Sequence, residues 1–360
     1  MDLVKIKLKD LKAYTESEQF KKFAVKPISP LRAESYIANP RADSEDIVLY
    51  MLIEGEVLVA FRTILTDYLY TKNDEIIKFG WYSGNWVSLK HRRKGYSKFL
   101  MKESFKDWNG KMMALNMAEN SKLMFLKSRK MFLFKQRLGI RFYLYPDLMS
   151  ILKDKVIFSK VKWCLPMLSK LIGFYTKLKL SIFYKKNNLF YCELNNLDDE
   201  CNKYIENNHI KSNELFQRSK TELAWIFQYP WITNKQTNKF NYPFSYLVSD
   251  FKFRVIKILK DGETTGFFIY SLINRKMKIL YYFINCCDIY DMCNIILYIA
   301  ICNKINYLTI LDEKLTSQMK NQSFYFAFHK TIESNIFSSF IIEDYKEKII
   351  YDGDGDNCFT

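Results

Sequence analysis

The chain has 360 residues, 49% of them hydrophobic and 17% aromatic, with only 11 Gly and 7 Pro. That length exceeds what one hydrophobic core usually serves, and the composition excludes collagen-like, mucin-like and disordered classes, so two packed domains are expected. The formal charge of +16 suits a partner made of phosphates without choosing among nucleic acid, an anionic membrane face and a phosphorylated co-substrate.

The N-terminal stretch MDLVKIKLKDLKAY has no uninterrupted apolar run, which predicts a cytoplasmic protein with free thiols. Every Cys lies at or after Cys164, none forms a C-x-x-C, and the only His are His91, His209 and His329, so no metal site is expected. The most apolar segment, Trp163 to Phe183, is broken by Pro166, Lys170, Lys177 and Lys179 and is not expected to cross a bilayer.

Period changes along the first 150 residues predict a strand at Val4 to Leu8, a helix at Leu11 to Phe23, and a second helix from Ile28 to Asn39 opened by Ser29-Pro30. Three β-rich runs follow, Ile47 to Ile53, Val57 to Thr66 and Ile76 to Leu89, joined by short polar turns as an antiparallel meander. A helix after Gly95, a strand at Lys111 to Asn116, a helix at Ala118 to Phe132 and a strand at Arg141 to Tyr145 complete this half. Residues 150 to 187 are rich in Lys, with Asp154 the single acid, and read as a helical linker with solvated Lys heads; docking on an anionic membrane is the other reading of that pattern. From Leu189 the element order of the first half recurs.

Chemistry is carried by Val87, Ser88, Leu89, Lys90, His91, Arg92, Arg93, Lys94, Gly95, Tyr96 and Ser97, a β run that opens directly into a helix. Backbone N–H groups at such a junction sit at the positive helix end and form a nest for a pyrophosphate; Gly95 admits close approach, small Ser97 keeps the first turn clear, and Arg92, Arg93 and Lys94 add positive charge. The stretch Arg92-x-x-Gly95-x-Ser97 resembles the acetyl-CoA cradle Q/R-x-x-G-x-G/A of the GCN5-related N-acetyltransferase (GNAT) superfamily, with Ser97 replacing the last Gly or Ala. Asn120, at the end of the next strand, resembles the Asn that contacts the cofactor arm in that superfamily, and residues 1 to about 146 carry the resemblance best.

The resemblance implies an α+β fold of two GNAT-like domains, each a mixed, mostly antiparallel sheet flanked by helices, covering 1–149 and 188–360, the second copy degenerate. It implies acetyl-CoA as co-substrate and direct attack of a small-molecule primary amine, such as an amino sugar, an amino acid or a polyamine, on the thioester. The backbone of Val87 to Leu89 would polarise the carbonyl, and Glu75, Glu119 and Tyr143 are the candidates for proton transfer. Two rival readings are an aminoacyl or longer-acyl transferase and a non-catalytic acyl-CoA-binding or membrane-surface protein. Nucleic-acid binding has only the net charge behind it and is not expected. One acetyl-CoA per chain is expected, because the second-half junction at Asn285 to Asp291 has no glycine, no cation and two carboxylates. Trp225, Pro230 and Trp231 read as core packing rather than an acceptor groove, and the tail Asp352-Gly-Asp354-Gly-Asp356 as a mobile acidic end rather than a calcium loop.

Overall fold

A computed structural model of the chain describes every residue except 72, 74, 118–121, 124, 127–128, 153–161, 187–189, 210–212, 234–240, 286–287, 322–327, 343–347 and 360, and leaves aside the side chains at 150, 180–186, 208–209 and 246. The first half forms β1 (Asp2–Lys7), α1 (Leu8–Glu16), α2 (Glu18–Lys22), α3 (Pro30–Ile37), β2 (Ile47–Glu54), β3 (Val57–Tyr70), β4 (Ile76–Val87), α4 (Tyr96–Asp107), β5 (Met112–Leu115) and β6 (Phe132–Tyr143). The second forms α5 (Leu148–Ile151), α6 (Leu165–Lys186), β7 (Tyr191–Leu194), α7 (Asp199–His209), α8 (Lys220–Gln228), β8 (Ile232–Thr233) and β9 (Tyr246–Leu247). It continues through β10 (Phe251–Lys260), β11 (Glu263–Ile273), β12 (Lys276–Ile284), α9 (Ile289–Cys302), β13 (Tyr307–Ile310), α10 (Glu313–Asn321) and β14 (His329–Ser338).

Two compact units result, one holding Met1–Gln136, His209–Val248 and Ser334–Thr360, the other Arg137–Asn208 and Ser249–Glu333. They interleave in sequence, whereas element order alone divides the chain into the consecutive blocks 1–149, 150–187 and 188–360. The physical reason is long-range pairing: β14 closes antiparallel on β5, and β6 closes antiparallel on β13.

In the first unit β1, β2, β3 and β4 pair antiparallel in that order, β5 joins β4 in parallel, and β14 follows. The second unit repeats the plan: β7, β10, β11 and β12 are antiparallel neighbours, β13 joins β12 in parallel, and β6 follows. Each unit is therefore an α+β body with a mixed, mostly antiparallel sheet. Each also borrows its last strand from the other half of the sequence. The second meander is pinned by two-residue loops with both residues left-handed, Asp261-Gly262 and Asn274-Arg275, whose twist matches paired strands.

Local chemistry explains the departures from simple periodicity. The helix expected over Leu11 to Phe23 is two helices, because Ser17 turns extended and its hydroxyl accepts the Phe20 N–H to cap α2. The helix expected to reach Phe132 stops sooner, since Phe132 already opens β6. The acidic tail is ordered rather than mobile: Asp352 and Asp354 are buried, Asp354 pairs with Arg218 at 3.3 Å, and the Phe359 ring stacks on Trp231 at 4.5 Å. A buried cation and an aromatic wall, both distant in sequence, hold the tail in place.

Candidate active site

Strands β4 and β5 pair only at Gly80–Met112, Trp81–Met113 and Tyr82–Ala114. Past Tyr82, β4 stays on β3 as far as Val87 while β5 ends at Leu115, so the two parallel strands part. At the parting point β4 bulges: Thr63 faces Gly84 and Ile64 faces Tyr82, leaving Ser83 without a counterpart on β3. A cavity of about 240 Å³ lies in this wedge, lined by Arg62, Tyr82, Ser83, Gly84, Asn85, Leu115, Asn116, Met117, Phe125 and Phe244.

Beyond β4 the chain makes a single tight turn at Leu89–His91 and then two left-handed residues, Arg93 at φ 65° and Gly95 at φ 86°, before α4 begins. Gly95 is the N-cap and offers no side chain to the first helical N–H groups, which keeps the positive end of α4 open to an anion. A Cβ on Gly95 would meet no described residue within 4 Å, so the glycine answers to backbone conformation and close approach rather than to packing. Arg92, Arg93 and Lys94 are exposed and make no ion pair among the described residues. Ser97 does more than keep the first turn clear: its hydroxyl lies 3.0 Å from Asn85 Nδ2 and 3.1 Å from Asn85 Oδ1, tying α4 to β4 at the cavity wall.

Arg62, on β3, is the unexpected charge. It is 1% exposed, and among the described residues no carboxylate pairs with it and its Nε has no hydrogen-bond partner. Its guanidinium lies 4.6 Å from the Tyr82 ring centroid and reaches Ser97 only at 3.4 to 3.5 Å. Burial lowers its pKa to about 10, which still leaves it charged at neutral pH. A buried cation without a counter-ion burdens the fold. Arg62→Met is expected to stabilise the unliganded protein by about 1 to 4 kcal/mol. It should also weaken binding of an anionic or carbonyl-bearing ligand by about 1 to 3 kcal/mol. Thermal unfolding together with a binding titration on the same variant checks both signs.

Strand alternation sends Thr63, next to Arg62, to the opposite face of the sheet. There Arg32 Nη1 donates to Ser83 Oγ at 3.1 Å, and Ser83 Oγ donates to Asp356 Oδ2 at 2.9 Å. The Arg32 guanidinium stacks over Trp231 at 3.8 Å, so Trp231 is both packed and a wall of this cluster. The hydroxyls of Tyr36, Thr63 and Tyr242 are buried here without a hydrogen bond of good geometry among the described residues. Burial raises the Tyr36 and Tyr242 phenols above their ordinary range, so both remain protonated. Gly84 has no room for a side chain, since a Cβ would lie 2.6 Å from Thr63 Oγ1. The bulge therefore has a cation and an open helix end on one face and a polar cluster with spare hydrogen-bonding capacity on the other.

No family model and no curated protein matches the sequence. Solved structures match in shape. A GCN5-related N-acetyltransferase from Anabaena variabilis aligns over 94% of this chain and 72% of its own, with a TM-score of 0.51 at 6% identity. A probable N-acyltransferase from Enterococcus faecalis aligns over 94% and 71%, with a TM-score of 0.52 at 8% identity. The Saccharomyces cerevisiae N-myristoyltransferase with bound myristoyl-CoA aligns over 94% and 78%, with a TM-score of 0.50 at 12% identity. The chain has the GNAT fold.

Within the GNAT fold, the residues picked from the sequence are not all brought together. Arg92 to Ser97 form the loop and helix start beside the wedge, and Val87 leads into it. Leu89 is exposed. Ser88 cannot polarise a carbonyl with its N–H, because that group donates to Val59 O at 2.9 Å. Glu75 sits exposed at the far end of β4, eight residues or about 26 Å of extended chain from Ser83, which removes it as a base. Tyr143 ends β6 in the other unit, in register with Tyr307, and does not line the cavity. Glu119 and Asn120 lie outside the described residues. The sequence assigns no site role to Arg62, Ser83, Asn85, Tyr242 or Asp356, although a lone Arg inside the apolar run Val57 to Leu65 is a signal that sequence alone contains.

Proposed function

We propose that this chain is an N-acyltransferase that moves an acetyl group from acetyl-CoA to a primary amine of a small molecule, such as an amino sugar, an amino acid or a polyamine. The observation that carries the proposal is the wedge between β4 and β5, whose cavity reaches Asn85, tied to Ser97 at the uncapped start of α4, and Ser83, tied to Arg32 and Asp356. The N–H groups that begin α4, with Arg92, Arg93 and Lys94, hold the pyrophosphate. Arg62 donates to an oxygen of the pantetheine arm or the acyl group.

The chain then has three tasks at the bulge. Backbone around Ser83 polarises the thioester oxygen, the role that the spent Ser88 N–H cannot fill. The cluster of Tyr36, Thr63 and Tyr242 orients the amine. Asp356, linked through the Ser83 hydroxyl, accepts the proton that the amine releases as its nitrogen bonds to the carbonyl carbon. The carbon–sulfur bond breaks, and the departing thiolate takes a proton from solvent.

The second unit has the same strand order with different residues in these places. Its fourth strand bulges at Leu280, a buried apolar residue, and α9 begins with Asp288 and Asp291. Carboxylates there answer the helix dipole themselves and repel a phosphate. Calorimetric titration with acetyl-CoA is therefore expected to give one site per chain. Two sites, or none, would contradict the assignment.

A further inference from the structure

Helix α6 turns a row of large apolar side chains to solvent. Met167, Leu171, Phe174 and Leu178 follow the i, i+4, i+7, i+11 spacing of one stripe, Leu168 and Tyr175 widen it, and all six are 45 to 64% exposed. Trp163, just before the helix, is 81% exposed. The opposite face is the anchored one: Thr176 Oγ1 donates to Leu144 O at 2.9 Å, Ser169 Oγ accepts the Leu148 N–H at 3.2 Å, and Gly173 sits against the Tyr145 ring. This inverts the usual arrangement of a surface helix, and so large an apolar stripe calls for a partner.

Charge identifies the partner. At 100° per residue, Lys170 and Lys177 flank the stripe on one side and Lys179 on the other. Residues 162–186 include six Lys and no Asp or Glu. A second copy of the chain would set this Lys-bordered stripe against itself with no carboxylate to answer it. No helix among the described residues is long and apolar enough to cross a membrane.

We propose that α6 lies in the interface of an anionic bilayer, its apolar stripe among the acyl chains and its Lys heads at lipid phosphates. Lys170, Lys177 and Lys179 bury their stems and keep their charge at headgroup level, where the amphipathic rings of Trp163 and Tyr175 also partition. The solvated linker favoured by the sequence pattern would not show this stripe.

Sedimentation of the full chain with vesicles tests the idea. Phosphatidylcholine vesicles containing phosphatidylserine should carry the protein down at low salt and release it as salt rises, and pure phosphatidylcholine should carry much less. Lys170→Gln and Lys177→Gln should each weaken partitioning about fivefold. Phe174→Glu should weaken it about tenfold or more while leaving circular dichroism and acetyl-CoA binding unchanged, because Phe174 is solvent-facing. Failure of the parent chain to sediment at low salt would overturn the proposal, as would sedimentation that Phe174→Glu leaves intact. Self-association abolished by Phe174→Glu without vesicle binding would make the occupant a second copy and also overturn it.

Discussion

Asp67→Asn is expected to lower stability by about 3 to 5 kcal/mol, because it removes the anion that two buried cations share. Asp67 on β3 accepts from Arg41 Nη1 at 2.9 Å, from Arg218 Nη1 and Nη2 at 2.9 and 2.7 Å, and from Trp81 Nε1 at 2.8 Å. Glu222 and Asp354 answer the outer sides of the same guanidinium groups at 3.0 and 3.3 Å. Burial alone would raise the Asp67 carboxyl, but Arg218 and Arg41 outweigh it and hold the group below the ordinary carboxylate range. A depressed native pKa means that the stabilisation is complete above the unfolded value and is lost as pH falls through the native one. Glu214 works in the opposite sense: burial raises it to about 7 despite a hydrogen bond from Tyr351, so its contribution declines as pH rises from the ordinary carboxylate range through 7. Urea unfolding across pH should show the parent losing stability in acid and Asp67→Asn losing much less. An unchanged midpoint at neutral pH would show that the cluster contributes nothing.

Gly95→Asp is expected to abolish acetyl-CoA binding, with a loss on the order of 3 kcal/mol or more, about a hundredfold in affinity. Two causes add. A side chain at φ 86° costs about 1 to 2 kcal/mol of backbone strain, which lets the free loop relax away from the binding conformation, and a carboxylate at the open end of α4 repels the phosphate that the helix dipole attracts. The free protein tolerates the added atoms because no described residue lies within 4 Å of the new Cβ, so the fold should persist. Gly95→Ala separates the causes, since it keeps the strain and omits the charge. Equal affinity in Gly95→Asp and the parent would remove the cradle from this loop.

The strands of both meanders were legible because each is an apolar run bounded by turn residues, as at Glu54-Gly55-Glu56 and Asp261-Gly262. The α4 start was legible because one glycine at a β-to-α junction has few other uses. What escaped was everything that depends on partners far along the chain. Ser83 is an ordinary strand residue until the bulge and Asp356, 273 positions later, give it a role. Asp354 reads as part of an acidic tail until Arg218 neutralises it. The strand exchange that completes each unit has no local signature either, since β6 and β14 look like any strand until their partners are known. Tyr143 is close in sequence to the expected site, whereas the phenols beside the bulge, Tyr36 and Tyr242, come from a helix that precedes the meander and a segment that follows the linker.

Release of free thiol from acetyl-CoA, followed while primary amines of the three classes are added, tests the central claim most directly. The account predicts amine-dependent thiol release at a rate above hydrolysis, lost in Gly95→Asp and reduced in Asp356→Asn. Saturable binding of acetyl-CoA with no thiol release by any amine would contradict it and leave a binding protein on a GNAT fold.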